Sequence, residues 1–248
     1  MSGKNKQRFG LLGKAIDYSF SRTYFQEKFK QENLDYCSYE NFDLPHLNDF
    51  TQLLEQKSIK GMNVTIPYKQ EVIPFLDRLD PVAKEIGAVN TIVFDDNGST
   101  TGHNTDYIGF KKSIEPLCGQ SVKKALVLGT GGASKAVVYC LEKMGIQTQY
   151  VSRQSSENAL SYDMLSPQHY EDHKLIVNCT PLGTFPEVNK KPPIDYNKIG
   201  KAHILFDLIY NPEMTAFMKA GKEQGAVVAN GTSMLVGQAE ASWKLLTS

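Results

Sequence analysis

The segment Ala125-Leu126-Val127-Leu128-Gly129-Thr130-Gly131-Gly132-Ala133-Ser134 constrains the fold more than any other stretch of this chain. It reads as a strand running into a glycine-rich helix start. Gly129 permits a tight turn, and Gly131 lets the backbone approach a pyrophosphate. The pattern then continues as a helix over 136–144 and a strand over 148–151. Strand, glycine turn, helix and strand make the βαβ unit of a doubly wound parallel sheet. Strand candidates at 175–177, 204–207 and 227–229, with a helix over 215–224, extend that alternation.

The first half has a different texture. Short apolar runs at 9–12 and 62–66 read as strands, the second stopped by Pro67. Tyr24, Phe25 and Phe29 have helical spacing, with Ser21 as the expected N-cap. Helices are expected over 44–54, 71–79 and 107–117, and Asp96-Asn97-Gly98 signals a hairpin. A closing helix over 233–246 is expected to pack back on the first half. The fold class is therefore α/β with two domains. Residues 1–106 plus 232–248 are expected to form a substrate-binding domain, and 107–231 a Rossmann-type dinucleotide domain.

With 27 basic and 27 acidic side chains, the chain has no electrostatic footprint for nucleic acid or membrane. Cys37, Cys118, Cys140 and Cys179 are scattered, without a C-x-x-C, so reduced thiols and no metal are expected. The polar start M-S-G-K-N-K-Q-R carries no signal-peptide pattern, and no apolar run approaches the ~20 residues of a membrane span. A soluble cytoplasmic protein, monomeric or homodimeric, is the expectation.

The end of the 148–151 strand selects the nucleotide. An NAD site wants an acid there for the ribose 2′-hydroxyl, whereas this chain has Ser152-Arg153-Gln154. The planar fork of Arg153 suits a 2′-phosphate instead, which predicts NADP.

A second set of motifs carries the chemistry. Asn63-Val64-Thr65-Ile66-Pro67-Tyr68-Lys69 and Gly102-His103-Asn104-Thr105-Asp106 place a cation, a carboxylate and neutral polar groups at strand ends. Taken alone, Lys69 reads equally as a solvated lysine, and Asp106 as a helix N-cap. Together with Asn63, Thr65, Asn90, Asn104 and Thr105 they suit a substrate with several hydroxyls.

From Gly13 to Gln238 these motifs resemble, in order, those of the shikimate dehydrogenase family. N-V-T-I-P-Y-K resembles N-V-T-x-P-x-K, which implies Lys69 as the catalytic lysine and Thr65 as a substrate contact. G-A-V-N-T at 87–91 implies Asn90 on a ring hydroxyl, and G-H-N-T-D implies Asp106 as the partner of Lys69. G-T-G-G-A-S matches G-x-G-G-A-x, implying cofactor contacts at Gly129, Thr130, Gly131, Gly132 and Ala133, with Ser152 and Arg153 beyond. N-C-T-P-L-G at 178–183, with Thr180, resembles a segment lining the nicotinamide side. The resemblance also implies Leu208, Gly231 and Met234 near that ring, while Tyr210 and Gln238 resemble substrate-side residues.

Two signatures depart from the family. The usual G-x-P-I-x-H-S-x-S-P is Gly13-Lys14-Ala15-Ile16-Asp17-Tyr18-Ser19-Phe20-Ser21-Arg22 here. Ser19 and Ser21, which resemble the carboxylate-binding pair, are kept. The usual N-R-T-x-x-R/K ends in Glu157. The resemblance implies NADP-dependent interconversion of 3-dehydroshikimate and shikimate. A quinate-preferring dehydrogenase and a non-catalytic sensing domain are the rival expectations.

Overall fold

Alternation along the apolar runs decides which side chains meet in each sheet. The computed structural model describes residues 6–17, 19–56, 58–119 and 121–248. The chain divides into one unit of Met1–Thr105 with Ala239–Ser248 and a second of Asp106–Gln238. The Tyr18 departure lies outside the described residues.

The first unit contains β1 (Gln7–Gly13), α1 (Phe20–Gln31), β2 (Cys37–Asp43), α2 (Phe50–Leu54), β3 (Ile59–Val64), β4 (Arg78–Leu79), α3 (Pro81–Ile86), β5 (Thr91–Phe94) and β6 (Thr100–His103). Its sheet has the order β2-β1-β3-β5-β6-β4. Strand β1 pairs in parallel with β2 and β3, whereas β5 runs antiparallel to β3 and β6. The expected hairpin joins β5 to β6, with Gly98 at φ 87°. On β1, Phe9 and Leu11 enter one core with Phe25, Phe29, Tyr39 and Trp243, while Leu12 enters another with Met62, Val64 and Ile92.

Several expected elements differ in this unit. Residues 71–79 form only a short 3-10 turn at Ile73–Phe75 before β4. Pro74 removes a helical N–H, and the Asp77 carboxylate accepts from Thr100 N at 2.8 Å, drawing the chain beside β6. The helix expected over 44–54 shrinks to a turn at Leu47–Asp49 and α2. Pro45 disfavours helix at Leu44, whose N–H donates instead to Gly13 O at 2.9 Å. Sequence pattern marks neither the polar strand β2 nor the helix α3. The N-cap of α1 is Ser19, whose Oγ accepts from Ser21 N, so Ser21 lies inside the helix.

The second unit contains α4 (Asp106–Ile114), β7 (Lys124–Leu128), α5 (Gly132–Lys143), β8 (Gln147–Ser152), β9 (Ala159–Ser161), α6 (Pro167–Asp172), β10 (Leu175–Asn178), β11 (Ile204–Asp207), α7 (Ala216–Glu223) and β12 (Val227–Ala229). Helix α8 (Thr232–Leu246) begins in this unit and ends in the first. The sheet is parallel throughout, in the order β12-β11-β10-β7-β8-β9. Ala125 and Val127 point into a core with Phe110, Val137 and Met234, and Leu126 and Leu128 into one with Phe217 and Tyr170. Both faces are therefore covered, which is the doubly wound arrangement.

Helices α4 and α8 meet through glycine. A Cβ on Gly109 would lie 2.3 Å from Met234 O and 2.7 Å from Gln238 N, so only a missing side chain allows this approach. Among the described residues no helix is long and apolar enough to cross a membrane.

Candidate active site

In the first unit, the motifs separated in sequence end side by side. Val89 N donates to Lys69 O at 2.7 Å, and Val64 N donates to Asn90 O at 2.8 Å. The Asn90 side chain donates to Thr105 Oγ1 at 3.0 Å and accepts from Thr105 N at 2.6 Å. Asn104 Nδ2 donates to Ala88 O at 3.0 Å. Asn90, Asn104 and Thr105 are buried, and these bonds satisfy polar groups that burial would otherwise penalise. Asn90 and Thr105 therefore brace one another, and Asp106 follows directly, buried in the first turn of α4. Lys69, half-buried, lies just past β3 in the turn after Pro67.

A second chain of bonds starts at the serines. Tyr39 hydrogen-bonds Ser21 and donates to Asn63 Oδ1 at 2.8 Å. Burial pushes the Tyr39 phenol pKa up, which keeps it a neutral donor. Asn63 Nδ2 then reaches Ser242 Oγ at 2.6 Å and Thr91 Oγ1 at 3.3 Å. The loop before Ser19 is shaped by β2: the Asp43 carboxylate accepts from Ala15 N at 2.8 Å and Ile16 N at 3.0 Å. Asn41 Nδ2 donates to Ile16 O at 2.9 Å. Ala15 takes φ 54°, so the residue standing where the family usually has proline adopts a left-handed backbone that proline cannot. Arg22 is exposed.

In the second unit, Gly129 sits at φ 101°, and a Cβ there would lie 3.1 Å from Thr180 Cγ2. A Cβ on Gly131 would meet nothing within 4 Å, so the N-terminus of α5 is open to a ligand. Gly131 is the N-cap of that twelve-residue helix, with no side chain capping it. The first N–H groups of a helix have no intrahelical acceptors, and with the helix dipole they suit a pyrophosphate. Ser134 fits this turn because its Oγ donates back to Gly131 O at 2.7 Å. Thr130 is exposed, Gly132 and Ala133 half-buried. Ser152, whose Oγ donates to Gln154 O, and the exposed Arg153 follow at the end of β8, where a 2′-phosphate would need a cation. Glu157 is also exposed. The residues present fit a bound dinucleotide.

Beside this turn, the ends of β10 and β11 carry Thr180, Leu208 and Tyr210. Thr180 N and Oγ1 donate to Asn178 Oδ1 at 3.0 and 2.7 Å. Gly231 closes against Leu208, since a Cβ would lie 2.0 Å from Leu208 O. Met234 is buried near the start of α8, and Gln238 lies one turn farther on.

A family model described as the shikimate dehydrogenase substrate binding domain matches residues 11–92. The shikimate dehydrogenase (NADP(+)) of Methanosphaera stadtmanae is 36% identical over 257 residues, covering 96% of this chain and 90% of that protein. The chain belongs to the shikimate dehydrogenase family. Among solved structures, the shikimate dehydrogenase of Aquifex aeolicus shares 33% identity and a TM-score of 0.86, over 99% of this chain and 94% of that one. Shikimate 5-dehydrogenase of Thermus thermophilus, in complex with NADP(H) and shikimate, shares 28% identity at a TM-score of 0.86, covering 97% and 93%.

Within this family frame, Asn63 Nδ2 also donates to Asn90 O at 3.4 Å, so the structure brings Asn63, Asn90, Thr105 and Ser21 into one hydrogen-bonded set with Tyr39. It also sets the Gly129 turn against Thr180. Sequence reasoning missed Tyr39, Asn41, Asp43, Asp207 and Ser242 as supports. Asp207 carried a usable signal, a carboxylate at the end of an apolar strand, whereas Ser242 on α8 had none.

Proposed function

We propose that this chain catalyses the reversible NADP-dependent interconversion of 3-dehydroshikimate and shikimate, in the cytoplasm. NADPH, when bound, supplies the hydride. Gly129, Thr130, Gly131, Gly132 and Ala133 hold its pyrophosphate at the start of α5, and Ser152 and Arg153 hold its 2′-phosphate. Thr180, Leu208, Gly231 and Met234 line the nicotinamide side.

The chain's own residues do the rest. Ser19 and Ser21 anchor the substrate carboxylate, and Thr65, Asn90, Tyr210 and Gln238 bind the substrate ring and its hydroxyls. The Lys69 ammonium gives a proton to the oxygen on C3 as negative charge develops there, and takes it back in the oxidative direction. Asp106 binds a hydroxyl and orients Lys69. One observation carries this reading: Val89 N on Lys69 O and Asn90 on Thr105 bring the lysine motif, the ring-hydroxyl motif and the residue preceding Asp106 into one buried framework.

Mixing the purified protein with shikimate and NADP and following NADPH absorbance tests the proposal. Turnover with shikimate above that with quinate supports it. Faster turnover with quinate assigns the rival substrate, and binding without turnover assigns a sensing domain.

A further inference from the structure

The Asp207 carboxylate is buried at the end of β11 and takes no part in the chemistry described above. It gathers donors from both strand-end loops and from the start of α7. Asn178 Nδ2 donates to Oδ1 at 3.0 Å, Ile209 N donates to the same oxygen at 3.1 Å, and Thr215 Oγ1 donates to Oδ2 at 2.6 Å. Each donor is itself committed elsewhere. Asn178 uses its own Oδ1 to hold Thr180, and Thr215 Oγ1 accepts from Met218 N at 3.2 Å as the α7 N-cap. Ile209 O accepts from Gly231 N at 3.1 Å, which leads into α8. A single carboxylate thus sets the places of Thr180, the Leu208–Tyr210 loop and, through Ile209, Gly231.

We propose that Asp207 is a positioning residue for hydride transfer, fixing the two loops that face the nicotinamide through Asn178, Ile209 and Thr215. The inference rests on the cofactor placement given under Proposed function. The carboxylate accepts all three bonds at once and so holds these loops in one register. Asparagine keeps the Oδ1 acceptor for Asn178 and Ile209 but turns an amide donor toward Thr215. Alanine removes every acceptor.

The test compares Asp207→Asn, Asp207→Ala and Thr215→Val with the unaltered enzyme, under conditions where circular dichroism shows each variant folded. NADPH affinity is read from nicotinamide fluorescence without substrate, and turnover from shikimate oxidation. For Asp207→Ala a fall in kcat of about 10²-fold is expected, because ångström-scale misplacement of reacting groups has that cost. The NADPH dissociation constant is expected to rise about 5-fold, as for one lost hydrogen bond. KM for shikimate should rise by a smaller factor than kcat falls, since of the residues this carboxylate places only Tyr210 meets that substrate. Asp207→Asn and Thr215→Val should fall between, with Asn recovering part of the alanine loss. Unchanged NADPH affinity and kcat in the folded variants overturns the proposal, as does Asp207→Asn behaving like Asp207→Ala. If Asp207→Ala does not fold, Thr215→Val alone decides by the same two readouts. NADPH binding is measured on its own, so an unaltered protein that binds NADPH but lacks shikimate turnover would point to the substrate assignment instead.

Discussion

Asn63 on β3 donates its side-chain amide to Ser242 Oγ at 2.6 Å, across 179 positions of sequence. That bond joins the strand leading into Lys69 to the end of α8 within one unit. Asn63 also accepts from Tyr39 on its other side, so it is the junction of a buried polar network. Asn63→Ala removes the acceptor of the Tyr39 hydroxyl, leaving it only Ser21, and should lower unfolding stability by about 1–3 kcal/mol. Urea unfolding followed by fluorescence of Trp243, the chain's one tryptophan, measures this. Ser242→Ala should cost less, because Asn63 keeps its other bonds; equal or reversed costs would refute the network's hierarchy.

Lys69→Ala is expected to reduce kcat by about 10²–10⁴-fold, the usual scale for general acid–base catalysis. Lys69→Arg should not restore the rate, because a guanidinium keeps its proton at any assay pH. Steady-state kinetics in both directions provide the check. A rise in KM at constant kcat would assign Lys69 to binding alone.

Arg153→Ala should weaken NADP by about 10-fold in KM, the worth of a charge-assisted hydrogen bond at an exposed site, and leave NAD nearly unchanged. The exposed Glu157 offers no cation in exchange. Parallel titrations with the two cofactors decide it: equal loss for both would remove Arg153 from the 2′-phosphate site.

Burial pushes the Asp207 pKa from the ordinary 3.8 up to about 6, despite its three donors. The folded state therefore holds a proton on Asp207 that the unfolded chain has already lost between about pH 4 and pH 6. This group's contribution to stability is fully present below about pH 4 and disappears as pH rises through about 6, amounting to about 3 kcal/mol. Asp207→Asn cannot ionise. Its stability relative to the unaltered protein should therefore increase between pH 5 and pH 7. Paired urea titrations at those two pH values test the sign, and a difference independent of pH would contradict it.

Strands β7, β10 and β11 were legible because strands covered on both faces demand continuous apolar runs, which need no knowledge of neighbours. The glycine turn before α5 was equally plain, since backbone conformation restricts residue choice locally. Strand β2 was not legible: it lies at the sheet edge with Ser38, Glu40 and Asn41 among its residues, so no apolar pattern marks it. The helix expected over 71–79 failed because Pro74 and the Asp77–Thr100 bond outweighed its periodicity.

The amino-acid order by itself determined the α/β class and the glycine turn before α5, through local rules of burial and backbone geometry. The motifs bearing Lys69, Asn90 and Asp106 stood out through their resemblance to the family's. Tertiary structure alone decided that Ser242 secures Asn63, that Asp43 shapes the loop before Ser19, and that Asp207 gathers three loop donors. A buried polar group must find its partners wherever the packed chain presents them, and sequence separation does not say where that is.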